Sequence, residues 1–210
     1  MKLYIKGDYT KEIPFDYLEL AKRMWFESYQ GEGISLSYSG FLQIRDGNDI
    51  AIHLKLNKQD YDERWLCIPI QEGIKYRFYS QIDEDLNLEF ENAYVTDFRE
   101  NGDCLRIAST HLELLTLDKR AFYIMAIEIA TIFNGQISED DKKTWLTVEE
   151  FKEKHQDILS LTFDEANEMS LEEIQTIDAI DDPIWEELDR KREEYIKIHG
   201  KRVYDDEEED

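Results

Sequence analysis

The stretch DKRAFYIMAIEIATIFNG, which runs from Asp118 to Gly135, decides the fold of this chain more than any other. The residues between Ala121 and Phe133 are apolar on nearly every side of a helix, which is typical of a helix buried in a core. These thirteen residues are too few to cross a bilayer, which takes about 20. The stretch therefore predicts a central helix packed on a sheet, with the closing Asn-Gly pair as its C-terminal cap.

The part of the chain before this helix alternates apolar and polar residues in the way that is typical of strands. Three segments show this pattern: Lys2–Lys6, Ile50–Leu56 and Ile74–Ser80. Arg64–Ile70 is predicted as a further strand, and its Pro69 indicates an edge or a strand end. A helix with an apolar stripe is predicted after the first of them, with Pro14 at its first helical position.

Two turns predict hairpins in the same part of the chain. Asp46–Asp49 is a turn sequence that lies directly before the strand Ile50–Leu56. Asn101–Gly102 is the preferred pair for a tight hairpin turn, and it would place Phe98 opposite Leu105 and Asp97 opposite Arg106.

After the central helix the sequence is rich in signals for helix starts. Capping boxes are predicted at Thr147–Glu150, Thr162–Glu165 and Ser170–Glu173, because a Thr or Ser is followed three residues later by Glu. Asp182–Pro183 predicts the start of a last helix, which ends near Gly200. Many carboxylates thereby receive a structural role at helix N-termini, where the helix dipole favours anions.

These signals together predict an α+β fold, with an antiparallel sheet of about five to seven strands, a buried central helix and a helical C-terminal third. We expect a single domain over residues 1–200, strand-rich over 1–115 and helical over 117–200. Residues 201–210 end in a run of like charges and predict a disordered acidic tail.

The net charge is the strongest global property, since 49 Asp and Glu against 25 Lys and Arg give −24. Such a chain repels the phosphates of nucleic acids and the anionic head groups of membranes. We therefore expect no nucleic-acid or membrane partner and favour a basic protein. Solubility alone is the alternative role of the charge.

Compact motifs for metal, cofactor or catalysis are missing from the sequence. Cys67 and Cys104 lie in strand-like runs without a CxxC spacing, which indicates a reducing, cytoplasmic environment. The histidines are far apart, and the acidic segment Asp83–Phe90 lacks the Gly and the final Glu of a calcium-binding loop. We expect neither a metal nor a cofactor, and a protein that is not an enzyme.

Glu128 interrupts the apolar stretch and is the first candidate for a catalytic group. A carboxylate in apolar surroundings can serve as a general acid or base, so an enzyme with scattered site residues around Glu128 is an alternative. The simpler interpretation is a polar stripe that Glu128 forms with Arg120 and Thr131, because a lone buried carboxylate is costly.

Weak candidates for a binding surface lie near the helix starts. Trp145 and Trp185 stand among carboxylates, and aromatic side chains often anchor protein partners. Packing of the two indole rings on the sheet is the alternative. The polar turn after the central helix supplies the other weak candidates for binding, which are Glu139, Asp140 and Asp141.

The favoured function is a non-enzymatic cytosolic binding protein of the immunity or inhibitor kind, which engages a basic protein. A structural role is a further alternative, because the last helix carries an apolar stripe that could hold a weak homodimer. The residues of that stripe are Ile184, Leu188, Tyr195 and Ile198.

Overall fold

The computed structural model describes residues 1–9, 16–26, 33–42, 50–67, 84–90, 104–110, 113–176, 190, 193–194 and 196–198. The chain divides into two compact units, Met1–Thr176 and Ile177–Asp210. In the second unit the described residues Arg190, Glu193–Glu194 and Ile196–Ile198 are helical, which partly supports the predicted helical C-terminal third. The predicted single domain over residues 1–200 stays a prediction.

The first unit has an α+β fold built on an antiparallel sheet, as predicted. Six strands are present among the described residues: β1 Lys2–Lys6, β2 Leu36–Leu42, β3 Ile50–Leu56, β4 Leu86–Phe90, β5 Cys104–Ser109 and β6 Gln136–Ser138. Their order in the sheet is β2-β3-β4-β5-β1-β6, and every neighbouring pair whose register is known is antiparallel.

The alternation in the sequence correctly assigns the buried face of the sheet. Leu3 and Ile5 of β1 are fully buried, and in β3 the apolar side chains of Ile52, Leu54 and Leu56 are buried while His53 is exposed. Strands β2 and β3 pair directly from Leu36 opposite Leu56 to Leu42 opposite Ile50. The predicted turn at Asp46–Asp49 lies outside the described residues, as does the predicted strand Ile74–Ser80.

Two predictions about the strands are wrong. Glu63–Cys67 is a short 3-10 helix and not part of a strand, because the Trp65 side chain turns inward to a hydrogen-bond partner on a distant helix. Leu105 cannot lie opposite Phe98, because it already stands between Ile5 on one side and Phe90 on the other. Arg106 likewise stands between Tyr4 and Glu89, and the Asn101–Gly102 turn lies outside the described residues.

Five α-helices belong to the described part of this unit: α1 Tyr17–Trp25, α2 Thr116–Ile132, α3 Val148–Lys154, α4 Gln156–Leu159 and α5 Phe163–Thr176. Helix α1 begins later than predicted, because the Asp16 carboxylate accepts the backbone N–H of Glu19 at 2.8 Å and caps it. Pro14 is therefore not its first helical residue. Such a cap stabilises a helix by about 1 kcal/mol.

Helix α2 is the predicted central helix, and twelve of its seventeen residues are buried. It ends as predicted, with Asn134 in the left-handed conformation (φ 47°) and the N–H of Gly135 donating to the carbonyl oxygen of Ala130 at 2.7 Å. A Cβ atom on Gly135 would lie 2.5 Å from the carbonyl oxygen of Lys6. Only glycine therefore lets the chain pass so close to β1 as it enters β6.

The capping boxes that start α3 and α5 are confirmed, whereas the third is wrong. Thr147 and Glu150 exchange hydrogen bonds at the start of α3, and Thr162 and Glu165 do the same at the start of α5. The predicted box Ser170–Glu173 lies inside α5, so it starts no helix.

Ser170 and Glu173 instead cap another helix, because the first residues of α2 lie beside them. The N–H of Leu117 donates to Oγ of Ser170 at 2.8 Å, and the N–H of Thr116 donates to Oε2 of Glu173 at 2.8 Å. The N-cap residue Leu115 has no side chain that could do this, so α5 supplies the cap from 50 or more residues away.

Candidate functional site

Acidic side chains cluster in the helical segment that follows the central helix. Residues 136–176 carry twelve Asp and Glu against four Lys, a net charge of −8 and a third of the total of the chain. Nine of the twelve carboxylates are exposed, three are half-buried and none is buried. The sequence places them there because α3 and α5 bury one apolar face, which includes Phe151, Ala166 and Ile174.

Four of the carboxylates on α3 and α5 have no partner among the described residues of the chain. They form neither a hydrogen bond nor an ion pair there, and we call them the unpaired carboxylates: Glu149 and Glu153 on α3, and Asp164 and Glu172 on α5. Exposed carboxylates carry a full negative charge at neutral pH. They therefore project an electrostatic field that attracts cations and repels anions.

The predicted binding residues after β6 come together in one loop, but each has a structural partner. Asp140 accepts hydrogen bonds from the hydroxyl and the N–H of Thr144, at 2.7 and 2.8 Å, and from the hydroxyl of Ser138 at 3.0 Å. These bonds lower the pKa of Asp140 to about 2, with the Thr144 hydroxyl as the largest cause. Asp140 thus shapes the turn in which Asp141 and Lys142 have positive φ angles.

The other residues of this loop are also engaged. Oε1 of Glu139 lies 2.7 Å from Nε2 of His155, and Glu139 also pairs with Lys154. The hydroxyl of Tyr4 donates to Asp141 at 3.4 Å.

The indole ring of Trp145 is covered by the Lys6 ammonium, 4.5 Å from the ring centre. Trp185 lies outside the described residues. The binding role predicted for Trp145, Trp185 and the three loop carboxylates stays a prediction.

A second feature of the site joins the 3-10 helix Glu63–Cys67 to α5. The Trp65 indole N–H donates to Oδ1 of Asn167 at 2.8 Å, and the Asn167 amide donates to Asp62 at 2.7 Å. Nη1 of Arg64 donates to Oε2 of Glu168 at 2.9 Å, and Arg64 also pairs with Asp62.

The charges in this junction stabilise each other. Hydrogen bonds from Arg64 are the main cause that lowers the pKa of Asp62 to about 2, and the Arg64 side chain also lowers the pKa of Glu168. Sequence reasoning missed the junction, because its two sides lie about a hundred residues apart and only the inward turn of Trp65 brings them together.

Beneath this junction lies a buried ion pair that the sequence did not indicate. Nζ of Lys58 is 2.7 Å from Oδ2 of Asp118, and the two side chains are 1% and 2% exposed. Burial raises the pKa of Asp118 to about 6, against the opposing effect of the Lys58 ammonium. Lys58 begins a separate 3-10 helix, Lys58–Asp60, and its ammonium lies 5.4 Å from the centre of the Trp65 ring. The pair therefore fixes the segment Lys58–Cys67 to the first turn of α2.

Glu128, the residue predicted as a possible acid or base, lies at the surface between α1 and α2. Nε of Arg23 is 3.1 Å from its Oε2, and the side chains of Arg23 and Glu128 are 46% and 31% exposed. The residue therefore forms an ordinary exposed ion pair, of a kind that contributes at most about 1 kcal/mol.

The polar stripe predicted around Glu128 is wrong at Arg120, which is 3% exposed. Its guanidinium donates to the carbonyl oxygens of Trp25 at 3.0 Å and of Leu161 at 2.7 Å. The last carbonyl groups of α1 have no partner within their own helix, and the buried arginine supplies one.

No group of three or more His, Cys, Asp or Glu side chains within the described ranges is arranged to hold a metal ion. No helix in the part of the chain that the structure describes is both long enough and apolar enough to cross a membrane. No protein-family model, curated protein or solved structure matches this chain.

Proposed function

We propose that this chain is a non-enzymatic binding protein that engages a basic protein through the unpaired carboxylates of α3 and α5. The observation that carries the proposal is the excess of exposed negative charge in this segment, which holds a net −8 of the total −24. Its carboxylates are exposed or half-buried, and the four unpaired carboxylates of α3 and α5 have no partners among the described residues.

The chemistry of the surface selects the kind of partner. Negative charge repels phosphates and anionic lipid head groups, so neither nucleic acid nor a membrane surface suits it. Positive charge on a protein is attracted from a distance, which raises the rate of encounter, and short charge pairs then orient the complex. An immunity-like or inhibitor-like protein that covers a basic active-site or nucleic-acid-binding face fits these requirements.

The alternative of an enzyme around Glu128 gains no support from its surroundings. The carboxylate is paired with Arg23 and partly in water, so the apolar environment that would equip it as a general acid or base is missing. The homodimer predicted through Ile184, Leu188, Tyr195 and Ile198 stays a prediction, with Ile198 75% exposed.

The proposal is tested with an immobilised chain, a lysate and steps of rising salt. One variant neutralises the four unpaired carboxylates by Glu149→Gln, Glu153→Gln, Asp164→Asn and Glu172→Gln. A matched control neutralises four exposed glutamates elsewhere in the chain, which are Glu19, Glu113, Glu193 and Glu194.

We expect the wild-type chain and the control to retain the same basic protein, and the first variant to bind the purified partner about tenfold more weakly or worse. Equal losses of affinity in both variants would mean that binding depends on the net charge of the chain, which would contradict a role for the carboxylates of α3 and α5. If the wild-type chain retains no basic protein even at low salt, the proposal fails.

A further inference from the structure

Two tyrosine rings stack at the surface between helix α1 and strand β2. The ring centres of Tyr17 and Tyr38 lie 3.9 Å apart, and the ring planes are inclined by only 26°. Tyr17 is the first residue of α1, directly after the capping residue Asp16, and Tyr38 lies in β2 opposite Leu54 of β3. The stack therefore joins the start of a helix to the middle of a strand.

Both rings of the stack are accessible from the solvent. Tyr38 is 56% exposed, and Tyr17 is half-buried. Other tyrosines of the same unit pack on a ring of a different kind: Tyr9 on Phe133, Tyr61 on Phe163 and Tyr123 on Phe151. Tyr17 and Tyr38 thus combine direct contact between two phenol rings with access for a dissolved reagent.

The two hydroxyl groups lie at the same end of the stack. Hydrogen bonding to the Tyr38 side chain is the main cause that raises the pKa of Tyr17 to about 12. Rings stacked in opposite directions would hold their hydroxyls at opposite ends, too far apart for a hydrogen bond. The two rings therefore point in the same direction, and the ortho carbon beside each hydroxyl lies next to its counterpart on the other ring.

We propose that Tyr17 and Tyr38 form an oxidative modification site, at which hydrogen peroxide and a haem peroxidase join the two rings by a dityrosine bond. This proposal goes beyond the proposed function and does not depend on a basic partner. The contact between the rings carries it, because two reactants that are already held together couple far faster than two that must first meet.

The cross-link forms by loss of two electrons and two protons. Each phenol gives up one electron and its hydroxyl proton, and the ortho carbons of the two phenoxyl radicals form a carbon–carbon bond. The hydrogen atoms on those carbons then move to the hydroxyl oxygens, so both rings become aromatic again. Hydrogen peroxide takes up the two electrons and two protons and becomes two molecules of water.

The exposure of Tyr38 gives its ring the freedom that the bond requires. The stacked rings must tilt before their ortho carbons meet, and exposed side chains change rotamer within nanoseconds. The new bond would tie α1 to β2 and, like a disulfide, would constrain the unfolded chain. We therefore expect the cross-linked chain to unfold at a higher urea concentration than the untreated chain.

The test treats the full chain, at low protein concentration, with hydrogen peroxide and a haem peroxidase, and then digests it with trypsin. Trypsin cleaves after Lys22 and Arg23, so Tyr17 and Tyr38 leave in separate peptides unless a covalent bond joins them. We expect mass spectrometry to find the two peptides joined and lighter than their sum by two hydrogen atoms. The treated chain should remain a monomer on a denaturing gel.

Conservative variants locate the bond. Tyr17→Phe and Tyr38→Phe each keep an aromatic ring and remove one phenol, so each should abolish the joined peptide. Tyr38→Phe also tests Tyr29, which leaves in the same tryptic peptide as Tyr38. The control Tyr123→Phe removes a buried tyrosine and should give the wild-type yield. Circular dichroism spectra that match the wild-type spectrum would verify that the variants are folded.

Three results would overturn the modification site. They are the absence of the joined peptide from the treated wild-type chain, its persistence in either Tyr17→Phe or Tyr38→Phe, and cross-linked dimers in place of the internal bond. A lower urea midpoint after cross-linking would likewise contradict a bond that forms within the native stack. None of these results involves a basic partner, so the proposed function would be unaffected.

Discussion

The loop after β6 and the helices α3 and α5 are both acidic, but their carboxylates do different things. In the loop, each carboxylate has a partner within the chain: Glu139 pairs with His155, Asp140 accepts hydrogen bonds from Thr144, and Asp141 accepts one from Tyr4. On the helices, Glu149, Glu153, Asp164 and Glu172 have no such partner among the described residues.

The difference teaches that a dense run of acidic residues in a sequence does not locate a binding surface. In the loop, N–H and hydroxyl groups of the turn itself donate to Asp140, and side chains of neighbouring elements reach Glu139 and Asp141. On α3 and α5, the carboxylates that reach a cap or a neighbouring segment are engaged, while the four unpaired carboxylates point into water and stay available.

The largest expected change in stability comes from removing Asp118, a buried carboxylate with a structural role. Asp118→Ala removes the carboxylate that pairs with the buried Lys58 ammonium, so we expect a loss of about 3–5 kcal/mol in the free energy of unfolding in urea. The double variant Lys58→Met and Asp118→Leu removes both charges and should regain most of that loss. A loss below about 1 kcal/mol in the single variant would show that the pair does not hold the segment Lys58–Cys67 against α2.

A neighbouring pair of glutamates on α5 gives a smaller and more closely matched effect. Glu173→Ala removes the acceptor of the Thr116 N–H at the start of α2, and we expect a cost of about 1–2 kcal/mol. Glu172→Ala, one residue away and exposed, should change the free energy of unfolding by less than about 0.5 kcal/mol. Equal effects of the two substitutions would remove the distinction between structural and unpaired carboxylates.

The pH dependence of stability should differ in sign between two structural carboxylates. The pKa of Asp118 is raised from 3.8 to about 6 in the fold because burial disfavours its charged form. The stability that comes from its protonation is therefore present below pH 3.8 and is lost as the pH rises through about 6, while the ionised carboxylate still pairs with Lys58. The pKa of Asp140 is lowered from 3.8 to about 2, so its contribution is present above pH 3.8 and is lost as the pH falls through about 2.

Urea unfolding of the wild type and of Asp118→Asn and Asp140→Asn between pH 2 and pH 7 would measure both trends. The stability of the wild type relative to Asp118→Asn should fall with rising pH. Its stability relative to Asp140→Asn should fall with decreasing pH. Two trends of the same sign would contradict the environments assigned to these carboxylates.

The sequence predicted those parts of the fold whose signals are local. The apolar stretch Ala121–Phe133, its Asn-Gly cap and the box Thr147–Glu150 each depend on residues within a few positions of one another. The strand β3 was equally clear, because its side chains alternate strictly between buried and exposed.

Features that join distant residues could not be predicted in this way. The residues Ser170–Glu173 match the sequence pattern of a capping box, yet they lie inside α5. Their side chains accept the N–H groups of Leu117 and Thr116 at the start of α2. Lys58 and Asp118 are sixty residues apart, and nothing in either neighbourhood indicates that the fold buries them together. The acidic character of the candidate site was predicted from the sequence. The prediction placed the binding residues in the loop Glu139–Asp141, however, and not on α3 and α5.

The measurement that tests the central claim most directly is the free energy of unfolding of the variant with all four unpaired carboxylates neutralised. We predict a value within about 1 kcal/mol of the wild type, because relief of the repulsion between Glu149 and Glu153 offsets the lost helix-dipole interaction of Glu149 and Asp164 in the first turns of α3 and α5. A loss of more than about 1 kcal/mol would contradict the account, because such a loss would mean that these carboxylates stabilise the fold and are not free for a partner.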